Sequence, residues 1–65
     1  MTKASDFKID QEVQYVPYHA HGDASHPDCE YGRVTSINER AGVVFARFGK
    51  KLTSEGCNPD QLRAL

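Results

Sequence analysis

Along residues 12–16, EVQYV, apolar and polar positions alternate, with Val13 and Tyr15 on one side of the chain. A period of two marks a half-buried strand. Phe7 and Ile9 precede it as the first large apolar residues after Met1, and Pro17 ends it or confines it to a sheet edge, since proline donates nothing to a ladder. Residues 18–30 have no period. Gly22, Asp23, Ser25, Pro27 and Asp28 are turn formers, and so long a loop in so short a chain is of the kind that carries function. YGRVTSIN (31–38) and VVFARF (43–48) are rich in β-branched and aromatic residues, and NERAG between them supplies Asn38 and Gly42 for a hairpin turn. Gly49 closes the second of these strands, and KKLTSEGC (50–57) is a weakly patterned fourth. In NPDQL, Asn58 can cap and Pro59 suits the first position of a 3₁₀ turn, after which Arg63–Leu65 add a short fifth strand. The polar residues 1–6 fall outside the ordered part as frayed chain.

The pattern thus predicts an all-β fold: a small five-stranded antiparallel barrel over residues 7–65. A long loop follows the first strand and a 3₁₀ turn precedes the last. Its core comprises Phe7, Ile9, Val13, Tyr15, Val34, Ile37, Val44, Ala46, Phe48, Leu52 and Leu62. FKIDQEVQYV, YGRVTSIN, VVFARFG and NPDQLRAL together resemble the SH3-like barrels, including Tudor- and KOW-type modules. The shared features are an entry turn before a Val-x-Tyr strand, a Gly-x-Val strand, a strand ending Phe-Gly, and a Pro-x-x-Leu turn into the last strand. This resemblance spans residues 7–65 and implies the barrel just described. HAHGDASHPDCEYG (19–32) is also similar to small proteins encoded by bacteriophages and prophages, a likeness that bears on origin and fold and implies no chemistry.

Length and composition narrow the setting. A chain of 65 residues is one domain at most. Its two cysteines, Cys29 and Cys57, allow a single disulfide, whereas secreted domains this small carry several. MTKASDFK lacks the apolar core of a signal peptide, and the longest apolar run, AGVVFA, is far too short to span a membrane. The expected setting is cytoplasmic and reducing, with both cysteines as thiols or metal ligands. The net charge of −1 argues against a nucleic-acid footprint over the whole surface. Residues 1–32 are nevertheless acid-rich and residues 33–65 base-rich, a division that internal pairing in one small domain explains.

All three histidines and Cys29 lie in HAHGDASHPDC, residues 19–29. His19, His21, His26 and Cys29 offer four ligands of the kind zinc prefers, and Cys57 can replace one if the fold brings it near. An H-x-H pair in extended chain sets both rings on one side. The spacing differs from the usual zinc-finger pattern of two close pairs with a longer spacer. The favoured expectation is therefore a metal-free loop in which Asp23, Ser25 and Asp28 bond nearby backbone N–H groups. Ser25, His26 and Asp28 supply the letters of a hydrolase triad, but a triad needs groups converging from separate elements, so an enzyme is not expected.

Alternation in VVFARF sets Val44, Ala46 and Phe48 on the inner side and Phe45 and Arg47 on the outer. With Tyr18 and Tyr31 at the ends of the loop, Phe45 can join an aromatic patch, or else pack beneath the loop. The functional expectation is a non-catalytic module that binds a protein partner through loop 18–31 and the adjacent face, using Tyr18, His19, His21, Asp23, His26, Tyr31, Phe45 and Arg47. The alternative is nucleic-acid binding through Arg33, Arg47, Lys50 and Lys51, with Arg33 and Arg47 as cross-strand neighbours. A third reading is the zinc-binding loop.

Overall fold

The computed structural model describes residues 2–65. Five antiparallel strands form one sheet: β1 Glu12–Tyr15, β2 Glu30–Asn38, β3 Val43–Phe48, β4 Glu55–Cys57 and β5 Leu62–Ala64. Their order across the sheet is β4-β3-β2-β1-β5. The helical elements among the described residues are single 3₁₀ turns at Ala4–Asp6, Tyr18–Ala20 and Pro59–Gln61. None is long and apolar enough to cross a membrane.

The turns form where local chemistry demands them. Asn58 accepts the Asp60 N–H on its side-chain oxygen and Pro59 occupies the first turn position, as its missing N–H allows. In the β2–β3 hairpin Gly42 takes φ +69°, and the Ala41 N–H is satisfied by the Asn38 side chain. The long connection from β1 to β2 is a succession of turns. The Ala20, His21, Asp23, His26 and Cys29 N–H groups each bond the carbonyl three residues earlier.

Val13, Val34, Val44, Ala46 and Phe48 point to one side of the sheet and are fully buried. Cys57 and Leu62, from the two edge strands, belong to the same cluster. The sheet therefore curls around a core that both edge strands share. It does not close. No ladder joins β4 to β5, so the expected barrel is an open sheet whose gap is spanned by the Pro59–Gln61 turn, with Pro59 buried.

A bulge interrupts β2. Val34 faces Ala46 and Ser36 faces Phe45, so Thr35 is one residue more than β3 can match. Its hydroxyl lies 3.3 Å from the Phe45 carbonyl and 2.6 Å from Ser54 Oγ. The extra residue lets both Val34 and Ile37, three apart, turn inward.

Some expected core positions lie elsewhere. Ile9 is exposed because it rides a turn in which the Gln11 N–H bonds the Lys8 carbonyl and Asp10 takes φ +69°. Leu52 is 87% exposed, because the weakly patterned KKLTSEGC pairs only from Glu55 and leaves Leu52 in the preceding turn. Residues 4–6, expected to fray, form a 3₁₀ turn in which the Lys3 N–H donates to Asp6 Oδ2 at 2.9 Å and Ala4 joins the core.

Candidate functional site

Gln14 connects the sheet to the loop. In the antiparallel register it stands opposite Tyr31 on β2 and Arg63 on β5, and so points to the outer face. It is nevertheless buried, at 3% exposure, and its Nε2 donates to the Ala24 carbonyl at 2.7 Å. The loop is thus folded back over the outer face of β1. Val16 and Ala20 are buried as well but stand outside the main cluster.

At the outer edge of the loop His19 Nε2 and Asp28 Oδ2 are 2.6 Å apart. A carboxylate only accepts, so the imidazole nitrogen carries the proton. His26 lies on the other side of the same oxygen, with Nδ1 at 4.0 Å from Asp28 Oδ2. That nitrogen accepts the Asp28 N–H at 3.0 Å, which leaves it unprotonated. The two imidazole rings meet edge to face, with centroids 5.2 Å apart. The ligand atoms of His19, His26 and Asp28 all lie within 4.8 Å of one another.

The structure thus brings together two of the four expected metal ligands and replaces the others. His21 sits in a left-handed conformation, φ +51°, outside the cluster. The Cys29 thiol donates to the Asp23 carbonyl at 3.4 Å. Asp28, expected to bond backbone, joins the histidines instead. Asp23 does the expected turn work: the Ser25 hydroxyl and N–H donate to its Oδ1 at 2.6 and 2.9 Å. Those two bonds hold the Asp23 carboxyl below its ordinary range. They also tie the Ser25 hydroxyl to a carboxylate rather than to an imidazole.

Of the remaining candidates, Tyr31, Arg33 and Arg47 line one cleft and Phe45 another, while Tyr18, Lys50 and Lys51 line neither. One shallow groove of about 400 Å³ is lined by Tyr31, Gly32, Arg33, Arg47 and Gly49, with Glu12 and Leu65 along its side. Arg33 and Arg47 are direct cross-strand partners, as expected. Arg33 is engaged, donating to Glu12 Oε1 at 3.1 Å and to the Asp10 carbonyl at 3.3 Å. Arg47 Nε donates to the Lys51 carbonyl at 3.4 Å, and no carboxylate among the described residues pairs with its guanidinium. Phe45 lines the second cleft, with Ile9, Ile37 and Arg40, beyond the Thr35 bulge. It neither joins Tyr31 nor lies beneath the histidine loop.

Lys51 is bound twice over, to Glu55 at 2.9 Å and Glu30 at 3.7 Å, and these contacts raise its pKa. Lys50 is exposed. Sequence reasoning missed the roles of Gln14, Asp28 and Leu65. An amide between two apolar strand residues was the one available signal, and it reads equally well as an outward solvated position. No family model, curated protein or solved structure matches the chain.

Proposed function

We propose that the protein is a non-catalytic binding module of the SH3-like kind, whose partner is a protein segment presenting a carboxylate beside an apolar side chain. One observation carries the reading. Tyr31 and Leu65, each 63% exposed, line the same groove as Arg47, whose guanidinium pairs with no carboxylate among the described residues. Apolar contact area and a cation with hydrogen-bonding capacity to spare suit such a segment. The loop 18–31, tied by Gln14 to the same face, meets the groove at Tyr31.

The SH3-like assignment is supported by five antiparallel strands with a long loop after the first and a 3₁₀ turn before the last. The bacteriophage or prophage origin rests on the loop string alone. The absence of catalysis is supported by Ser25, whose hydroxyl is committed to Asp23. Two free thiols, Cys29 and Cys57, suit a reducing cytoplasmic setting. A nucleic-acid partner is disfavoured by the pairing of Arg33 with Glu12 and of Lys51 with Glu30 and Glu55, which leaves Arg47 and Lys50 of the four expected cations.

Selection of random peptides displayed against the purified protein tests the reading. The selected peptides should pair Asp or Glu with an aliphatic or aromatic residue and lose binding to Arg47→Glu and to Tyr31→Ala, both of which should melt like the parent. Selected peptides indifferent to both substitutions would refute it. So would retention of single-stranded DNA or RNA that weakens steeply with salt, the signature of counterion release.

A further inference from the structure

We propose that His19, His26 and Asp28 form a site for one divalent ion of the zinc class. The proposal is independent of the peptide groove. Two imidazoles and one carboxylate are a donor set that suits zinc, whereas calcium and magnesium take oxygen donors almost exclusively. The present separations from Asp28 Oδ2 are 2.6 Å to His19 Nε2 and 4.0 Å to His26 Nδ1. Zinc–donor bonds of about 2.0–2.2 Å in a tetrahedron require donor separations of roughly 3.3–3.6 Å. Side-chain movements on the order of 1 Å therefore reach coordination geometry, and the three side chains are at or near the surface, where such rotations meet little resistance.

The backbone is already placed. His19 belongs to the Tyr18–Ala20 turn, whose Ala20 is buried, and His26 and Asp28 lie in the chain of turns anchored by the Gln14–Ala24 bond. The ion would take the position now filled by the proton between His19 and Asp28. It would draw His26 Nδ1 away from the Asp28 N–H, so one backbone hydrogen bond is given up for one coordinate bond. A fourth position stays open to water or to a group from a partner. The assigned set excludes both His21 and Cys29, and this separates it from a His₃Cys loop site.

Titration of tag-free protein with zinc ion alone, followed by calorimetry and by the ¹⁵N resonances of the imidazoles, tests the site. One equivalent should bind, with coordination shifts at His19 and His26 and none at His21. His19→Ala and Asp28→Asn should each weaken binding about tenfold or more, since even outer partners of metal ligands are worth 10–100-fold. His21→Ala and Cys29→Ser should leave the affinity unchanged. Substitution with cobalt ion should give no sulfur-to-metal charge-transfer band. Absence of saturable binding would overturn the proposal. A thiolate band, or loss of affinity in Cys29→Ser or His21→Ala, would overturn it equally.

Discussion

Gly32→Ala sets two physical effects of opposite sign against each other. Gly32 lies inside β2, between Val13 on β1 and Phe48 on β3. On propensity alone alanine should be the better residue, because glycine within a strand costs roughly 0.5–1 kcal/mol relative to alanine. Packing argues the reverse. A Cβ built at this position would overlap the Arg47 carbonyl oxygen and stand 2.6 Å from Phe48 Cδ1, where 3.4–4 Å is ordinary contact. The carbonyl is main chain and cannot step aside without parting β2 from β3, and Phe48, 1% exposed, has nowhere to turn. Forced overpacking costs about 1–3 kcal/mol, and a main-chain obstacle puts this site near the upper end. The net expectation is a loss of about 2 kcal/mol, a large share of the roughly 3–10 kcal/mol available to a domain of this size. Thermal unfolding followed by circular dichroism should show Tm lowered by roughly 8–16 °C. Urea unfolding should show a lower midpoint at unchanged slope. Adding Phe48→Leu should not restore stability, since it leaves the carbonyl overlap in place. A Gly32→Ala protein as stable as the parent would refute the close approach of β2 and β3 and the inward direction of Gly32.

Gln14→Leu removes the tie to the Ala24 carbonyl while keeping apolar bulk; hydrogen exchange should accelerate across residues 18–29 and stay unchanged in β2 and β3, at a cost of about 1 kcal/mol. Uniform acceleration throughout the sheet would show that Gln14 supports the core instead. Stability should also fall on the alkaline side. Burial, aided by Glu55 and Glu30, raises the Cys57 thiol above its ordinary 9.0, so the folded state holds that proton more tightly than the unfolded chain does. Its contribution is complete below pH 9.0 and lost as pH rises through the folded value. Lys51, raised above 10.5 by Glu55 and Glu30, adds a second loss in the same direction at higher pH. Melting curves should fall from about pH 9 in the parent and only at higher pH in Cys57→Ala; an identical onset in both proteins would rule out the thiol as its source.

The strands of this fold are legible because their signals are local. The alternation of VVFARF gives the inner and outer sides of β3 correctly, and Asn58-Pro59 announces its turn through side-chain and ring chemistry. The misread positions depend on the path of the chain between strands. Leu52 and Ile9 are apolar residues that turns carry away from the core, and nothing in their immediate neighbours says so. Gln14 is buried by a loop ten residues downstream, so its burial depends on how residues 16–29 fold back. The histidine cluster was half visible. Composition singled out the loop, but the choice of Asp28 over His21 and Cys29 depends on the left-handed turn at His21 and the Cys29–Asp23 contact, both set by three-dimensional placement.

The extra residue at Thr35 gives β2 one place where its length can change without harm to the core. Removing Thr35 would join Val34 to Ser36 and leave each remaining side chain on its present face, with Val34 and Ile37 still inside. Removing Arg33 instead would turn Val34 outward and deliver the Thr35 hydroxyl to the interior in its place. In a library of single-codon deletions through β2, survivors should therefore concentrate at this codon. What they forfeit is the local bend that a bulge gives its strand, which lies between the groove at Tyr31 and the cleft at Phe45.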